Sequence, residues 1–154
     1  MLKVQIYGEG VVPFEFRQSA EFFFGNVTAE EENFTGEIEI VGEIVSDGKN
    51  FLAKGTATCQ RNFLCDRCLA PSSEKMLCEF EEEILPEEIS DNLVDITELV
   101  RDTILAGLPI RNLCRESCKG LCPVCGKNLN DGECECDRFI VDPRLASLKE
   151  LKFD

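Results

Sequence analysis

Apolar and polar residues alternate with a period of two through much of the N-terminal half of the chain. Leu2, Val4 and Ile6 interleave with Lys3, Gln5 and Tyr7, and Ile38, Ile40 and Ile44 interleave with Glu37, Glu39 and Glu43. That period belongs to strands with one buried and one wet face. SDGK at 46–49 reads as a turn between two such runs. Downstream, FLAKGTATCQRNFL at 51–64 and KMLCEFEEEI at 75–84 flank a loop that carries CDRCLAPSS. They predict a long hairpin or adjacent strands, with Met76, Cys78 and Phe80 on the buried face and Glu79, Glu81 and Glu83 in water.

After Pro86 the period changes. Ile96, Leu99, Val100, Thr103 and Ile104 follow the spacing of an amphipathic helix near 95–106, begun by Asp95 with Glu98 three residues on and ended by Gly107 and Pro109. DPRLASLKELK predicts a second, short helix, with Asp142 as N-cap, Pro143 at its first position and Leu145, Leu148 and Leu151 on one side. Between the two helices lie turn formers, Gly120, Asn128, Asn130 and Gly132. These switches predict an α+β fold. A mainly antiparallel β-rich body with one helix covers 1–110, and a small Cys-rich lobe ending in a short helix covers 111–154.

Composition adds bounds. With 154 residues, 44% of them hydrophobic and 30% charged, the chain can bury a core of its own. MLKVQIYGEG lacks the basic and apolar regions of a signal peptide, and no stretch nears the roughly 20 apolar residues of a membrane helix. A cytoplasmic protein is the expectation. Histidine is absent, which removes Cys-His and Ser-His nucleophile pairs, so hydrolase chemistry is a poor fit. The net charge of -14 disfavours indiscriminate contact with nucleic acid. Charge is uneven, however: residues 74–102 carry a net of -9, whereas 111–127 carry +3 through Arg111, Arg115, Lys119 and Lys127 against Glu116.

The basic island coincides with the densest chemistry. Residues 114–136 hold six cysteines, Cys114, Cys118, Cys122, Cys125, Cys134 and Cys136. A disulfide framework conflicts with a reducing cytosol, which favours metal binding or thiol chemistry. Cys122-Pro-Val-Cys125-Gly has the form of a zinc knuckle, in which two intervening residues let both sulfurs converge on one ion and Gly126 permits the tight turn. A segment so rich in turns needs a metal clip to stay ordered, and an all-thiolate set points to zinc. Cys122 and Cys125 are the firmest ligands; the other two of one zinc come from Cys114, Cys118, Cys134 and Cys136. Cys65-Asp-Arg-Cys68 is a second half-site or a pair of reduced thiols on a turn. Cys59 and Cys78, inside strand patterns, read as core residues. Two C-x-x-C pairs with surplus thiols also leave a thiol-disulfide oxidoreductase or a redox-switched zinc protein as the alternative, although neither pair starts a helix.

CDRCL at 65–69, the helix leading to Leu108-Pro109, LCRESCKGLCPVCGKNLN at 113–130, ECEC at 133–136 and DPRLASL at 142–148 together resemble the YceD family of large ribosomal RNA subunit accumulation proteins. The likeness runs over about residues 59–151, and the N-terminal third agrees in strand character. It implies a non-catalytic bacterial or organellar factor supporting 23S ribosomal RNA accumulation or processing and large-subunit assembly. The implied partner is a precursor large ribosomal subunit, met through 23S RNA or ribosomal protein. Cys65 and Cys68 match the family's paired cysteines, and the six C-terminal cysteines match its Cys-rich form. Arg111, Arg115, Lys119 and Lys127, joined by Arg61 and Arg67 if the hairpin loop packs nearby, are the candidate contacts to RNA or a partner. The acidic run from Glu79 to Glu88 would face a basic ribosomal protein, the plain alternative being a solvated edge strand.

Overall fold

The alternating runs become a four-stranded antiparallel meander. The computed structural model describes residues 1–25 and 32–138 together with Arg144. Strand β1 (Lys3–Gln5) is followed by β2 (Gly10–Ser19), helix α1 (Ala20–Phe24) and the long strands β3 (Glu32–Ser46), β4 (Phe51–Leu64) and β5 (Pro71–Ile84). After a 3-10 turn at Pro86–Glu88 come the short strands β6 (Ile89–Ser90) and β7 (Leu93–Asp95) and helix α2 (Thr97–Ala106). Strands β2, β3, β4 and β5 pair in that order, and β1, β7 and β6 form a second, three-stranded sheet. The fold is α+β, and no helix among the described residues is long and apolar enough to cross a membrane.

One face of the meander carries the core. Ile38, Ile40, Ile44, Ala53, Ala57, Cys59, Met76, Cys78, Phe80 and Ile84 are buried, as period-two patterning requires. Leu2, Val4 and Ile6 from the N-terminal strand and Val100 and Ile104 from α2 close the same cluster. Cys59 and Cys78 lie within it, as small apolar residues. Near its centre Gly42 stands opposite Gly55, and a Cβ on either would meet a facing carbonyl oxygen at 2.5 or 2.4 Å. The rings of Phe14 and Phe80 lie against these glycines, with centroids 6.5 Å apart and nearly parallel. The opposite sheet face is wet and carries Glu15, Glu39, Glu79, Glu81 and Glu83.

The turn after β3 is ordered by Asp47, whose Oδ1 accepts from the amides of Lys49 at 2.9 Å and Asn50 at 2.7 Å. These bonds, with Asn50 foremost, hold its carboxyl below the usual carboxylate range. Helix α2 begins at Thr97 rather than Asp95, because Asp95 is held extended opposite Lys3 in the β1–β7 pair. Its carboxylate still accepts the Thr97 amide at 3.0 Å, so Asp95 caps from one residue further out. β5 starts four residues before the expected 75, since Pro71 needs no donor at the first position of a strand. α1 is an addition to the strand-like pattern of the N-terminal half. Apart from Arg144, the expected helix over 142–152 lies outside the described residues.

Candidate metal centres

Beyond α2 the described chain forms turns and one isolated bridge, Leu121 to Asn128, so its order must come from elsewhere. It is clamped to the tip of the β4–β5 hairpin. The tip closes on itself through Cys65 N to Ala70 O at 3.0 Å and Leu69 N to Cys65 O at 2.8 Å. Asp66 N donates to Asn112 O at 2.8 Å, while Asn112 N donates to Asp66 Oδ2 at 2.7 Å. Leu121 N donates to Arg67 O at 3.0 Å, and Arg67 Nη1 donates to the carbonyls of Cys118 at 2.8 Å and Glu116 at 3.3 Å. Gly120 is required here: its φ is 76°, and a Cβ would stand 3.0 Å from the Arg67 carbonyl oxygen.

This clamp divides the clustered cysteines. Cys114 and Cys118 join Cys65 and Cys68 across the hairpin tip, and Cys122, Cys125, Cys134 and Cys136 form a second group; within each group the sulfurs lie within 4.8 Å of one another. All ten thiols are free. In the first group Cys65 Sγ is 3.8 Å from Cys118 Sγ, and Cys68 Sγ is 3.8 Å from Cys114 Sγ. Those separations are far beyond a disulfide bond. They match the edge of a tetrahedron whose centre lies at a zinc–thiolate distance of about 2.3 Å, which is about 3.8 Å. Each of the two groups can hold a metal ion.

Backbone amides aim at the sulfurs, which suits thiolate ligands rather than spectator thiols. Burial pushes the Cys65 thiol up, but the amides of Cys114, Arg67 and Cys68 outweigh it and bring Cys65 down to about 6. The amides of Cys125 and Val124, the latter 3.4 Å from Sγ, bring Cys122 down to about 6. Other members of the same groups go the opposite way. Burial, then hydrogen bonds from neighbouring thiols, push Cys114 up to about 12, and the bond with Cys125, then burial, pushes Cys136 up to about 12. Four sulfurs this close cannot all be anionic on their own; a divalent cation at the centre removes that conflict.

Both tips share a knuckle geometry. The residue after the second cysteine has positive φ in each, Gly126 at 72° and Leu69 at 56°. The C-x-x-C spacing reveals the first as a half-site, but its glycine signal is missing because Leu69 occupies the strained position. Asn130 braces the first centre: its Nδ2 lies 3.4 Å from Cys118 Sγ and its Oδ1 accepts from Arg115 Nη2 at 2.8 Å and Lys119 N at 2.9 Å. Sequence reading took Asn130 for a turn former, and no spacing rule would have found this role. The centres differ in exposure. Cys65, Cys68 and Cys118 are buried, whereas Cys125 is exposed and Cys134 and Cys136 are half-buried.

The cations of the basic island, Arg111, Arg115, Lys119 and Lys127, are all exposed on the lobe, and Lys127 Nζ donates to the Glu133 carbonyl at 2.9 Å. Arg61 is not among them. It is 1% exposed and engaged with Glu74, Asn112 and the Phe63 ring, because its position on β4 points into the junction between hairpin and lobe.

A protein-family model described as "Large ribosomal RNA subunit accumulation protein YceD" matches residues 53–152, which contain both cysteine groups. A chloroplastic Arabidopsis thaliana protein named as a YCED homolog of that description is 34% identical over 67 residues, 44% of this chain and 20% of the relative. An uncharacterized protein of Mycobacterium bovis is 29% identical over 129 residues, 75% of this chain and 61% of the relative. A Mycobacterium tuberculosis protein, also uncharacterized, matches to the same extent. The chain thus spans a fifth of the plant relative's length and 61% of the mycobacterial ones'. No solved structure matches it.

Proposed function

Because the chain belongs to the YceD family, by a match over residues 53–152, we propose that it is a non-catalytic cytoplasmic factor supporting 23S ribosomal RNA accumulation and large-subunit assembly. The single observation that carries this reading is that match, which includes every one of the eight clustered cysteines. Zinc is the ion we assign to the two four-thiolate centres, on the donor set of both and, for the first, on its 3.8 Å sulfur separations. Its role is structural: four thiolates complete a closed tetrahedral site, and a lobe of turns gains its order from the metal. The lobe over 111–154 is then fastened to the body over 1–110 by the first centre, which takes two ligands from each.

The basic island is proposed as the contact to precursor RNA, with Arg111, Arg115, Lys119 and Lys127 held in fixed relation by the metal-ordered loops. Asn130 supports this by holding the Arg115 guanidinium and the Lys119 amide from one carbonyl oxygen. The acidic strand region from Glu79 to Glu88 faces a basic ribosomal protein. The test reverses Arg115 and Lys119 to glutamate, confirms unchanged folding and metal content, and measures association with precursor large subunits together with 23S RNA levels. Both are expected to fall. Wild-type values for both would remove the basic island from the RNA-facing surface.

A further inference from the structure

β5 ends the four-stranded sheet, and among the described residues no backbone group hydrogen-bonds to its outer edge. The other edge strand, β2, is blunted by Pro13 in its middle. From Ser72 to Ile84, β5 contains no proline, and its pairing with β4 runs without a bulge. An edge of this kind is a template for a further strand.

Three features say what that strand would be. Beside the edge, Leu77 to Glu82 together with Thr103, Ala106 and Gly107 line a groove of about 480 Å³, open enough for side chains of an added strand on the α2 side. On the wet face Glu79, Glu81 and Glu83 recur at every second residue, about 7 Å apart along the strand. None of them, nor Glu82, has an ion-pair or hydrogen-bond partner among the described residues. Lys54, directly opposite Glu81 on β4, is already held by Glu43 at 3.0 Å. Finally, a second copy of β5 in antiparallel register would set carboxylates against carboxylates, which disfavours self-association through this edge.

We propose that the outer edge of β5 receives an extended basic segment of a protein partner as a fifth strand, with lysine or arginine at alternate positions over Glu79, Glu81 and Glu83. The strand backbone supplies affinity, and the carboxylates select the sign of charge. This deepens the reading of the acidic region as a surface for a basic protein, and rests on it only for the identity of the partner.

The experiment uses the full, metal-loaded chain and a short peptide of alternating lysine and threonine. Its control replaces each threonine by proline, which keeps the charge but cannot pair along a strand. Hydrogen exchange should show protection of alternate β5 amides between Leu77 and Glu82 on adding the first peptide. Affinity should drop roughly tenfold or more for the proline peptide and for the triple variant Glu79→Gln, Glu81→Gln, Glu83→Gln, whose fold is checked by circular dichroism. Equal binding of the two peptides, binding without β5 protection, or no binding at all overturns the proposal. So does finding all the β5 amides protected in the chain alone, which would mean that its own residues cover the edge. No ribosomal component enters this assay, so its failure is distinct from failure of the Arg115 and Lys119 test.

Discussion

Truncating Arg61 to alanine should cost about 3 kcal/mol and loosen the lobe from the hairpin. The side chain is 2% exposed. Its Nε and Nη2 both lie 2.7 Å from Glu74 Oε1, its Nη1 donates to Asn112 Oδ1 at 2.9 Å, and its guanidinium lies 4.4 Å from the Phe63 ring centre. A hydrogen bond to a charged group contributes about 1.5–3 kcal/mol. Glu74 is 43% exposed, so water replaces much of what it loses, and its share is set at the low end. The Asn112 bond and the ring contact together add about 1.5 kcal/mol. Arg61→Met keeps the apolar stem and removes the buried charge, and should recover about 1 kcal/mol of the loss. For a chain of this size 3 kcal/mol is a fall in Tm of roughly 6–12 °C. Thermal unfolding of both variants and of Asn112→Ala, with metal content measured in parallel, is the assay. A loss below 1 kcal/mol for Arg61→Ala, or strict additivity with Asn112→Ala, would falsify the view that this residue joins hairpin to lobe.

Three further outcomes are expected. Elemental analysis should find two zinc ions per chain and one in either Cys65→Ser or Cys125→Ser; a single ion in the wild type, or no change in the variants, contradicts two separate centres. Leu69→Gly removes a side chain from positive φ and should raise stability by about 1 kcal/mol in denaturant titration, whereas a loss of similar size would mean that the exposed leucine packs on something. Burial pushes the Cys59 thiol from 9.0 up to about 11, so the folded state holds the proton more tightly than the unfolded one. Stability should therefore decline as pH rises from about 9 through 11, and Cys59→Ala should flatten that decline; an unchanged alkaline limb would place its cause elsewhere.

Much of the architecture was legible because local periodicity fixes which face of a strand is buried. Ile38, Ile40 and Ile44, and Met76, Cys78 and Phe80, needed no partner to declare their side, and all six are buried. The apolar spacing from Ile96 to Ile104 likewise declared α2, although its first turn was misjudged by two residues since pairing of Asp95 with Lys3 is invisible along the chain. The five residues of α1 were not legible, because so short a helix has too few residues to show a period.

The cysteines show where sequence stops. Spacing alone marks Cys65 and Cys68, and Cys122 and Cys125, as half-sites, since two intervening residues let two sulfurs meet one ion. Which half-site pairs with which set of remaining thiols depends on separations of 46 and 53 residues, and many chain paths satisfy either choice. The tertiary structure chose, through the Asp66–Asn112 exchange, the bond from Leu121 N to the Arg67 carbonyl, and Gly120, whose lack of a Cβ permits that approach. The same junction turned Arg61 inward. Composition along the chain determined the kinds of chemistry present. Only the packing of the hairpin tip against the lobe decided the grouping, because ligand sets are fixed by distances in space and not by order in sequence.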